Sequence, residues 1–401
     1  MINNQQPTTN NQQLKKPQAA YLHIPFCRRR CYYCDFAVSV VGDKARGETS
    51  GSIAEYVEVL EREIQQGQGF DLPLTTVFFG GGTPSLLSVG QLERILRALE
   101  GRFGIANDAE ISMEIDPGTF DLEQIQGYQK AGVNRFSLGV QSFDNKILQA
   151  CGRSHSRRDI FAAVEILRQA GVTNFSLDLI SGLPHQTLSQ WQNTLNQAIA
   201  IAPQHLSCYD LVLEPVTAFG KQYQPGEKPL PNDEDTAEMY RLAQQILTQA
   251  GFLHYEISNY AQPGFQCRHN QVYWQNQPYY GLGMGAASYF NRQRWTRSRT
   301  RREYYQWVAQ GCPITTPPQN ELELLLETLM LKLRLATGIK LTELAHQFGE
   351  DTVTQLQTCL QPERETGLVV FRNNSLHFSD PEGFLWSNTI LSQLFAHFSS
   401  P

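Results

Sequence analysis

Cys27, Cys31 and Cys34 stand in the run Tyr21-Leu-His-Ile-Pro-Phe-Cys-Arg-Arg-Arg-Cys-Tyr-Tyr-Cys-Asp-Phe36, with the spacing Cys-x3-Cys-x2-Cys. Three thiolates on one loop can hold three corners of a cubane [4Fe-4S] cluster. The fourth iron then has no protein ligand and can bind a further molecule. The spacing therefore points to chemistry and not only to a structural metal. Zinc is the competing reading, with His23 or Asp35 as the fourth ligand. Zinc sites usually draw two ligand pairs from separate turns, whereas these ligands come from a single loop.

Other chemically capable residues are spread along the chain. Gly80-Gly-Gly-Thr-Pro84 ends an apolar segment, and glycine lets backbone come close to a ligand. Glu114 and Asp178 are carboxylates in otherwise apolar strand patterns, odd for parallel strands covered on both faces. His269 stands beside Tyr273-Trp274; packing is its ordinary role, and a neutral imidazole is also a good iron ligand. Gly281-Leu-Gly-Met-Gly-Ala286 mimics a dinucleotide loop but lacks a following helix and distant acid. His205, His254, His346, His377 and His397 are expected to be structural. Cys151, Cys208, Cys267, Cys312 and Cys359 are expected to be buried small hydrophobes.

The elements that must position these residues follow from periodicity. Tyr21–Ile24, Thr76–Phe79, Glu110–Asp116, Asn134–Val140, Asn174–Ile180 and His205–Val212 read as strands. Helical patterns alternate with them: Ile53 to Ile64, Leu92 to Phe103 behind a Ser88 cap, Asp121 to Ala131 before Gly132, Asp159 to Ala170 before Gly171, and Leu188 to Ala202. Six β/α units of about thirty residues each imply a parallel sheet with right-handed crossovers. No Rossmann fingerprint follows the first strand, so the expected α/β fold is a partial (β/α)6 barrel. A helix near 236–250 and a strand near 254–260 would extend it. The residues singled out fall at strand ends, where barrels place their chemistry. A smaller C-terminal winged-helix-like domain is expected from a helix over 320–335 with Leu322, Leu325, Leu326, Leu329 and Leu333, a helix near 341–360, a strand pair (Gly367–Phe371, Ser375–Phe378) and a helix near 384–397. The resulting division is an Asn/Gln-rich disordered tail (1–19), the barrel (20–260), a connecting region (261–318) and the C-terminal domain (319–401).

Composition bounds the function. The 401 residues carry 41% hydrophobic residues and a net charge of −6, which gives no basic field for nucleic acid. Eight cysteines in a chain this long are not a disulfide framework, and a thiolate cluster needs a reducing compartment. There is no apolar run of membrane-spanning length and no signal-peptide core. A soluble cytoplasmic protein is expected, with peripheral membrane association left open.

The run Tyr21-x-His-Ile-Pro-Phe-Cys27-x3-Cys31-x-Tyr33-Cys34-Asp-Phe36 resembles the radical S-adenosylmethionine (SAM) superfamily. More narrowly, it resembles the oxygen-independent coproporphyrinogen III oxidases and their relatives, the HemW-like haem chaperones. The resemblance covers nearly the whole chain from Tyr21. It implies that Cys27, Cys31 and Cys34 hold a [4Fe-4S] cluster and that the amino and carboxylate groups of S-adenosyl-L-methionine chelate its open iron. An electron from the cluster would then cleave the sulfonium to a 5′-deoxyadenosyl radical. It further implies that Tyr21, Gly81, Gly82, Thr83, Glu114, Gln141, Arg153 and Asp178 contact S-adenosylmethionine. Arg153 would partner its carboxylate, and Glu114 and Asp178 would accept hydrogen bonds from ribose hydroxyls or the amino group. Arg268-His269-Asn-Gln-Val-Tyr273-Trp274 matches a His-Asn-x-x-Tyr-Trp signature of the chaperones, making His269 a haem contact.

Position 36 separates the branches. The oxidases resemble Cys-x3-Cys-x2-Cys-x-Cys, and here the last position is Phe36. The barrel starts at residue 21, leaving no room for the longer ordered N-terminal segment of the oxidases. The Leu329–Leu335 stretch followed by Gly338-Ile339 is also chaperone-like. The first expectation is therefore a haem chaperone that delivers haem to membrane-bound respiratory apo-cytochromes, with an electron donor for the cluster and no nucleic acid. The alternative is a coproporphyrinogen III oxidase in porphyrin biosynthesis. A zinc-stabilised winged-helix module is the third reading.

Overall fold

The computed structural model describes residues 15–43 and 46–399. Six strands stand side by side in chain order and all parallel: β1 (Ala19–Ile24), β2 (Leu74–Gly81), β3 (Ile105–Ile115), β4 (Arg135–Gln141), β5 (Phe175–Ser181) and β6 (His205–Asp210). Helices α1 (Gly51–Gln66), α2 (Val89–Phe103), α3 (Leu122–Ala131), α4 (Arg157–Gln169) and α5 (Leu188–Ile201) form the crossovers. Each begins where the sequence offers a cap. In α2, Ser88 Oγ accepts from Gln91 N at 3.2 Å while Gln91 Oε1 accepts from Ser88 N at 2.9 Å, satisfying two orphan donors reciprocally. Gly132 ends α3 in a left-handed conformation, φ 115°, at little steric cost.

Three expectations on this domain are corrected. The first strand starts at Ala19, which is buried, rather than at Tyr21. The expected tail keeps only Lys15 to Gln18 among the described residues, and residues 1–14 lie outside them. The strand expected near 254–260 is two antiparallel strands, β7 (Leu253–Glu256) and β8 (Asn259–Ala261), folded back along the β6 edge. At the opposite edge β9 (Tyr280–Leu282) pairs parallel with β1. Residues 261–318 are therefore not a connector. Tyr280, Leu282, Tyr304 and Val308 belong to the same hydrophobic core as the barrel strands and helices. Three-residue strands are too short for periodicity to register.

Side chains alternate across each strand. Val77, Met113, Leu138, Leu177 and Leu206 pack outward into the core under the helices, while Phe78, Ser112, Ser137, Asp178 and Ser207 line an interior cavity. The pairings Glu114–Ser137, Ser137–Ser176 and Asp178–Ser207 place these polar groups in layers across the sheet. Glu114 and Asp178 are thus the barrel's inward face, which resolves their oddity as strand carboxylates.

The C-terminal domain has its own core around Leu329, Leu333, Leu344, Leu356, Leu376 and Leu394, and a three-stranded antiparallel sheet. Its first helix, Glu321–Lys332, buries Leu324 and Leu325, while Leu322 is exposed, so the expected apolar face is rotated. The helix expected over 341–360 is broken at Gly349, whose φ of 93° ends one helix and begins the next. The domain is tied to the barrel by Arg241 on Glu382 (2.7 Å) and His254 on Asp380 (2.8 Å). No helix among the described residues is long and apolar enough to cross a membrane.

Candidate functional site

The cysteine loop follows β1 and overhangs the carboxyl end of the barrel. All three thiols are free and partly exposed. Behind them His23 is buried, with both ring nitrogens used: Nδ1 pairs with the Tyr21 hydroxyl at 3.0 Å and Nε2 with the Ala37 carbonyl at 2.9 Å. A carbonyl only accepts, so Nε2 carries the proton and Nδ1 accepts from Tyr21. Burial lowers the His23 pKa, consistent with this neutral tautomer. His23 therefore anchors the far end of the loop and offers no lone pair to a metal. Asp35 faces Arg299 at 3.7 Å. The zinc reading loses His23 as its fourth ligand on this geometry.

The loop needs the glycines beneath it. Gly81 has φ 111°, and a β-carbon there would come within 2.5 Å of the His23 ring; one at Gly82 would come within 2.7 Å of the Phe26 carbonyl. Thr83 Oγ1 donates to Asp116 Oδ2 at 3.2 Å. Arg153, its side chain 9% exposed, bonds Asp116 Oδ1 at 2.5 Å and the Gly139 carbonyl at 2.9 Å, and its Nη1 lies 3.4 Å from Cys31 Sγ. The structure thus brings Thr83 and Arg153 to the cysteine loop through Asp116, a residue the sequence reading missed. Asp116 lies two places beyond Glu114, just past the carboxyl end of β3, and that spacing was the available signal.

Tyr21, Gly81, Glu114 and Asp178 line the cavity of about 190 Å³ below. Gly81 N–H donates to Glu114 Oε2 at 2.9 Å, and Ser137 Oγ donates to Asp178 at 2.8 Å. Gln141 ends β4 with φ 64°, the left-handed region that is unusual for a non-glycine residue. Gly82 and Gln141 are not among its lining residues. Two buried polar atoms on lining residues, Ser112 Oγ and His205 Nδ1, have no hydrogen-bond partner. Orphaned polar atoms around a cavity are the mark of a site built for a polar guest. His205, expected to be merely structural, also bonds the Tyr255 hydroxyl at 2.8 Å.

The chemistry of the donors fits an iron–sulfur cluster with an extended ligand. Burial, followed by the Asp116 charge, pushes the Cys27 thiol up to about 12, and burial raises Cys34 as well. Such thiols are protonated until a cation replaces the protons, and a bound metal reverses this balance. The cavity beneath suits a polar guest with hydroxyl groups.

Glu114 gives a prediction. Burial, then the Asp178 charge, push its pKa from 4.5 to about 8, opposed by the Gly81 N–H. Between these values the folded state holds a proton the unfolded chain has released, so stability falls as pH rises across that window. Urea unfolding of the ligand-free protein from pH 5 to 8 should show this loss, and Glu114→Gln should flatten it. An unchanged slope in the variant would assign the dependence to other groups.

His269 lines the floor of the same cavity. It is fully buried on the short helix Arg268–Trp274, which closes the opposite, amino end of the barrel. Glu110 accepts from the backbone N–H groups of Arg268 (3.2 Å) and His269 (3.1 Å). The imidazole pairs through Nδ1 with Thr76 Oγ1 and through Nε2 with the Tyr273 hydroxyl, both at 2.8 Å, and stacks on Phe78. Burial lowers its pKa to about 3. Neither nitrogen is free for a metal, and the signature reads as the floor of the barrel. Of the scattered cysteines, Cys151, Cys208 and Cys267 are buried as expected; Cys312 and Cys359 are half-buried.

Residues 21–198 match the radical SAM superfamily model and residues 320–386 match the HemN C-terminal domain. A Synechocystis sp. protein named heme chaperone HemW is 51% identical, the alignment covering 95% of this chain and 97% of that protein. A Bacillus subtilis protein of the same name is 33% identical over 93% of this chain and 98% of its own length. Among solved structures, the Escherichia coli coproporphyrinogen III oxidase HemN superposes with a TM-score of 0.80 at 22% identity, covering 96% of this chain and 91% of that one. At that identity the likeness shows the fold.

Proposed function

Because the chain belongs to the HemW family, within the radical SAM superfamily, we propose that it is a haem chaperone: it binds haem and passes it to apoproteins. The single observation that carries this reading is the 51% identity to a heme chaperone HemW over nearly the full length of both chains. Phe36 in place of a fourth cysteine agrees with it.

Cys27, Cys31 and Cys34 would hold a [4Fe-4S] cluster. Tyr21, Gly81, Gly82, Thr83, Glu114, Gln141, Arg153 and Asp178 would surround S-adenosylmethionine. Together these groups supply one-electron chemistry when bound. The chain's own residues provide the setting. Arg153, fixed by Asp116, presents a guanidinium to an anionic group beside Cys31. Glu114 and Asp178 accept hydrogen bonds from hydroxyl or ammonium groups inside the barrel, where Ser137 and the Gly81 N–H hold them in place. His23 and the glycines set the height of the loop above the cavity. Membrane-bound respiratory apo-cytochromes are the proposed acceptors, and the cluster would take its electron from a separate donor.

The test is one cluster-loaded sample in two assays. Haemin titration should give a saturable Soret band. Coproporphyrinogen III with S-adenosylmethionine and reductant should give no protoporphyrinogen IX; turnover in that assay would establish the oxidase reading instead. His269→Ala in the same titration should leave the Soret spectrum unchanged while lowering stability by about 2–6 kcal/mol, because Thr76 and Tyr273 each lose a buried partner. Loss of the Soret band with stability intact would restore His269 as a haem ligand.

A further inference from the structure

The two arms of the Arg153 guanidinium face different surroundings. Its Nη2 is spent inside the protein, on Asp116 Oδ1 at 2.5 Å, the Gly139 carbonyl at 2.9 Å and His155 Nδ1 at 3.4 Å. Its Nη1 lies 3.4 Å from Cys31 Sγ, and its Nε is buried without a hydrogen-bond partner. A guanidinium is a rigid planar fork, so a grip on one arm aims the other.

The grip is itself built to be stiff. Thr83 Oγ1 donates to Asp116 Oδ2 at 3.2 Å, the Asp116 N–H donates to Ser85 Oγ at 3.3 Å, and Thr119 Oγ1 donates to the Asp116 carbonyl at 2.7 Å. Thr83, Ser85 and Thr119 are all buried. His155 is buried too, and its Nε2 faces the Val140 carbonyl at 3.3 Å. A carbonyl only accepts, so Nε2 carries the proton and Nδ1 accepts from Arg153. Burial, then the Arg153 charge, lower the His155 pKa to about 4, which keeps the ring neutral. Gly139 completes the cradle. A β-carbon there would lie 2.6 Å from Asp116 Oδ1 and 3.2 Å from Arg153 Nη2, so a side chain would push the pair apart.

Stability alone does not account for this arrangement. Well-packed apolar side chains in place of a buried ion pair are often neutral or stabilising. Here three acceptors converge on one nitrogen, while the neighbouring arm is left beside a cysteine of the cluster loop.

We propose that Asp116 and His155 are positioning residues for the cofactor: by gripping one arm of Arg153 they hold the other beside Cys31 for the carboxylate of S-adenosylmethionine. Both act through Arg153. The inference rests on the S-adenosylmethionine assignment above and adds two residues to it.

Equilibrium dialysis of the oxidised, cluster-loaded protein tests it, with S-adenosylmethionine and its decarboxylated analogue as paired ligands and iron measured alongside. Asp116→Ala should weaken S-adenosylmethionine at least about tenfold and the decarboxylated analogue less than about twofold, because only the carboxylate senses where Arg153 sits. His155→Ala should show the same selectivity with a loss of about threefold, since Asp116 and Gly139 still hold Nη2. S-adenosylmethionine bound by Asp116→Ala within about twofold of wild type would overturn the positioning role. Equal weakening of both ligands would overturn it too, by marking a general loosening of the loop. Either result leaves the S-adenosylmethionine site standing. Wild type that holds iron but binds neither ligand would refute that site, and this inference with it. If Asp116→Ala lost iron, His155→Ala, whose ring bonds to Arg153 and Val140, would decide by the same comparison.

Discussion

Cys31→Ser should abolish cluster assembly. After anaerobic reconstitution the wild type should carry about four irons and four sulfides per chain with broad charge-transfer absorption, and the variant close to none. A serine hydroxyl stays protonated where a thiol, given a compensating cation, ionises. Two thiolates then remain for a cluster that uses three. The fold should be little affected. Cys31 is partly exposed, and its recorded side-chain contact is the 3.4 Å approach of Arg153, so the ligand-free variant should unfold within about 1 kcal/mol of wild type. Iron retained at wild-type level would remove Cys31 from the ligand set. Stoichiometric zinc in the wild type, without charge-transfer absorption, would sink the cluster and the radical SAM chemistry together.

The second large effect is expected far from any ligand. Arg297 and Glu63 form an ion pair at 2.8 Å with side chains only 5% and 2% exposed. Glu63 Oε2 also accepts from the Tyr304 hydroxyl and from Gly283 N–H, each at 2.7 Å, and Arg297 Nη1 donates to Ser288 Oγ at 2.6 Å. This cluster fastens the turn after β9 to α1. The turn in turn backs the cysteine loop, since a β-carbon on Gly285 would lie 2.7 Å from the Ala37 Cβ. Arg297→Leu would strand a buried carboxylate and should cost about 3–5 kcal/mol. Glu63→Gln with Arg297→Leu removes the stranded charge while keeping an acceptor for Gly283, and should be less destabilising than Arg297→Leu alone. Urea midpoints for the two variants measure both. A loss below about 1 kcal/mol for Arg297→Leu would show that this cluster does not hold the barrel edge.

The turn at Gly281–Ala286 shows why part of this fold was hard to read. In the sequence it imitates a nucleotide loop. In the structure its glycines serve close packing: Gly283, at φ 96°, leaves no room for a β-carbon beside the Tyr56 hydroxyl and the His23 carbonyl. Those neighbours lie more than two hundred residues away along the chain. The short edge strands escaped for a related reason, because three residues carry no period. The long elements were legible: α1 and α2 bury the apolar faces that their spacing marked, and α2 begins at the expected Ser88 cap, while Ser50 caps α1 unforeseen.

Sequence alone pointed to the family and offered the three cysteines as the proposed ligand set. Cysteine spacing within one loop is a local property, and local geometry suffices to offer three thiolates to one cluster. The inward placement of Glu114 and Asp178 was nearly as local, since a strand's alternation follows from its own residues. Tertiary structure decided the rest. Only the packed barrel couples Asp116 to Arg153, turns His23 from a possible zinc ligand into a neutral clamp on the Ala37 carbonyl, and sends His269 to the floor with both nitrogens occupied. It alone brings Tyr32 of the cysteine loop against Phe219 of the stretch after β6. These are relations between segments distant in the chain, set by which strands neighbour each other in the sheet, and no spacing along the sequence contains them.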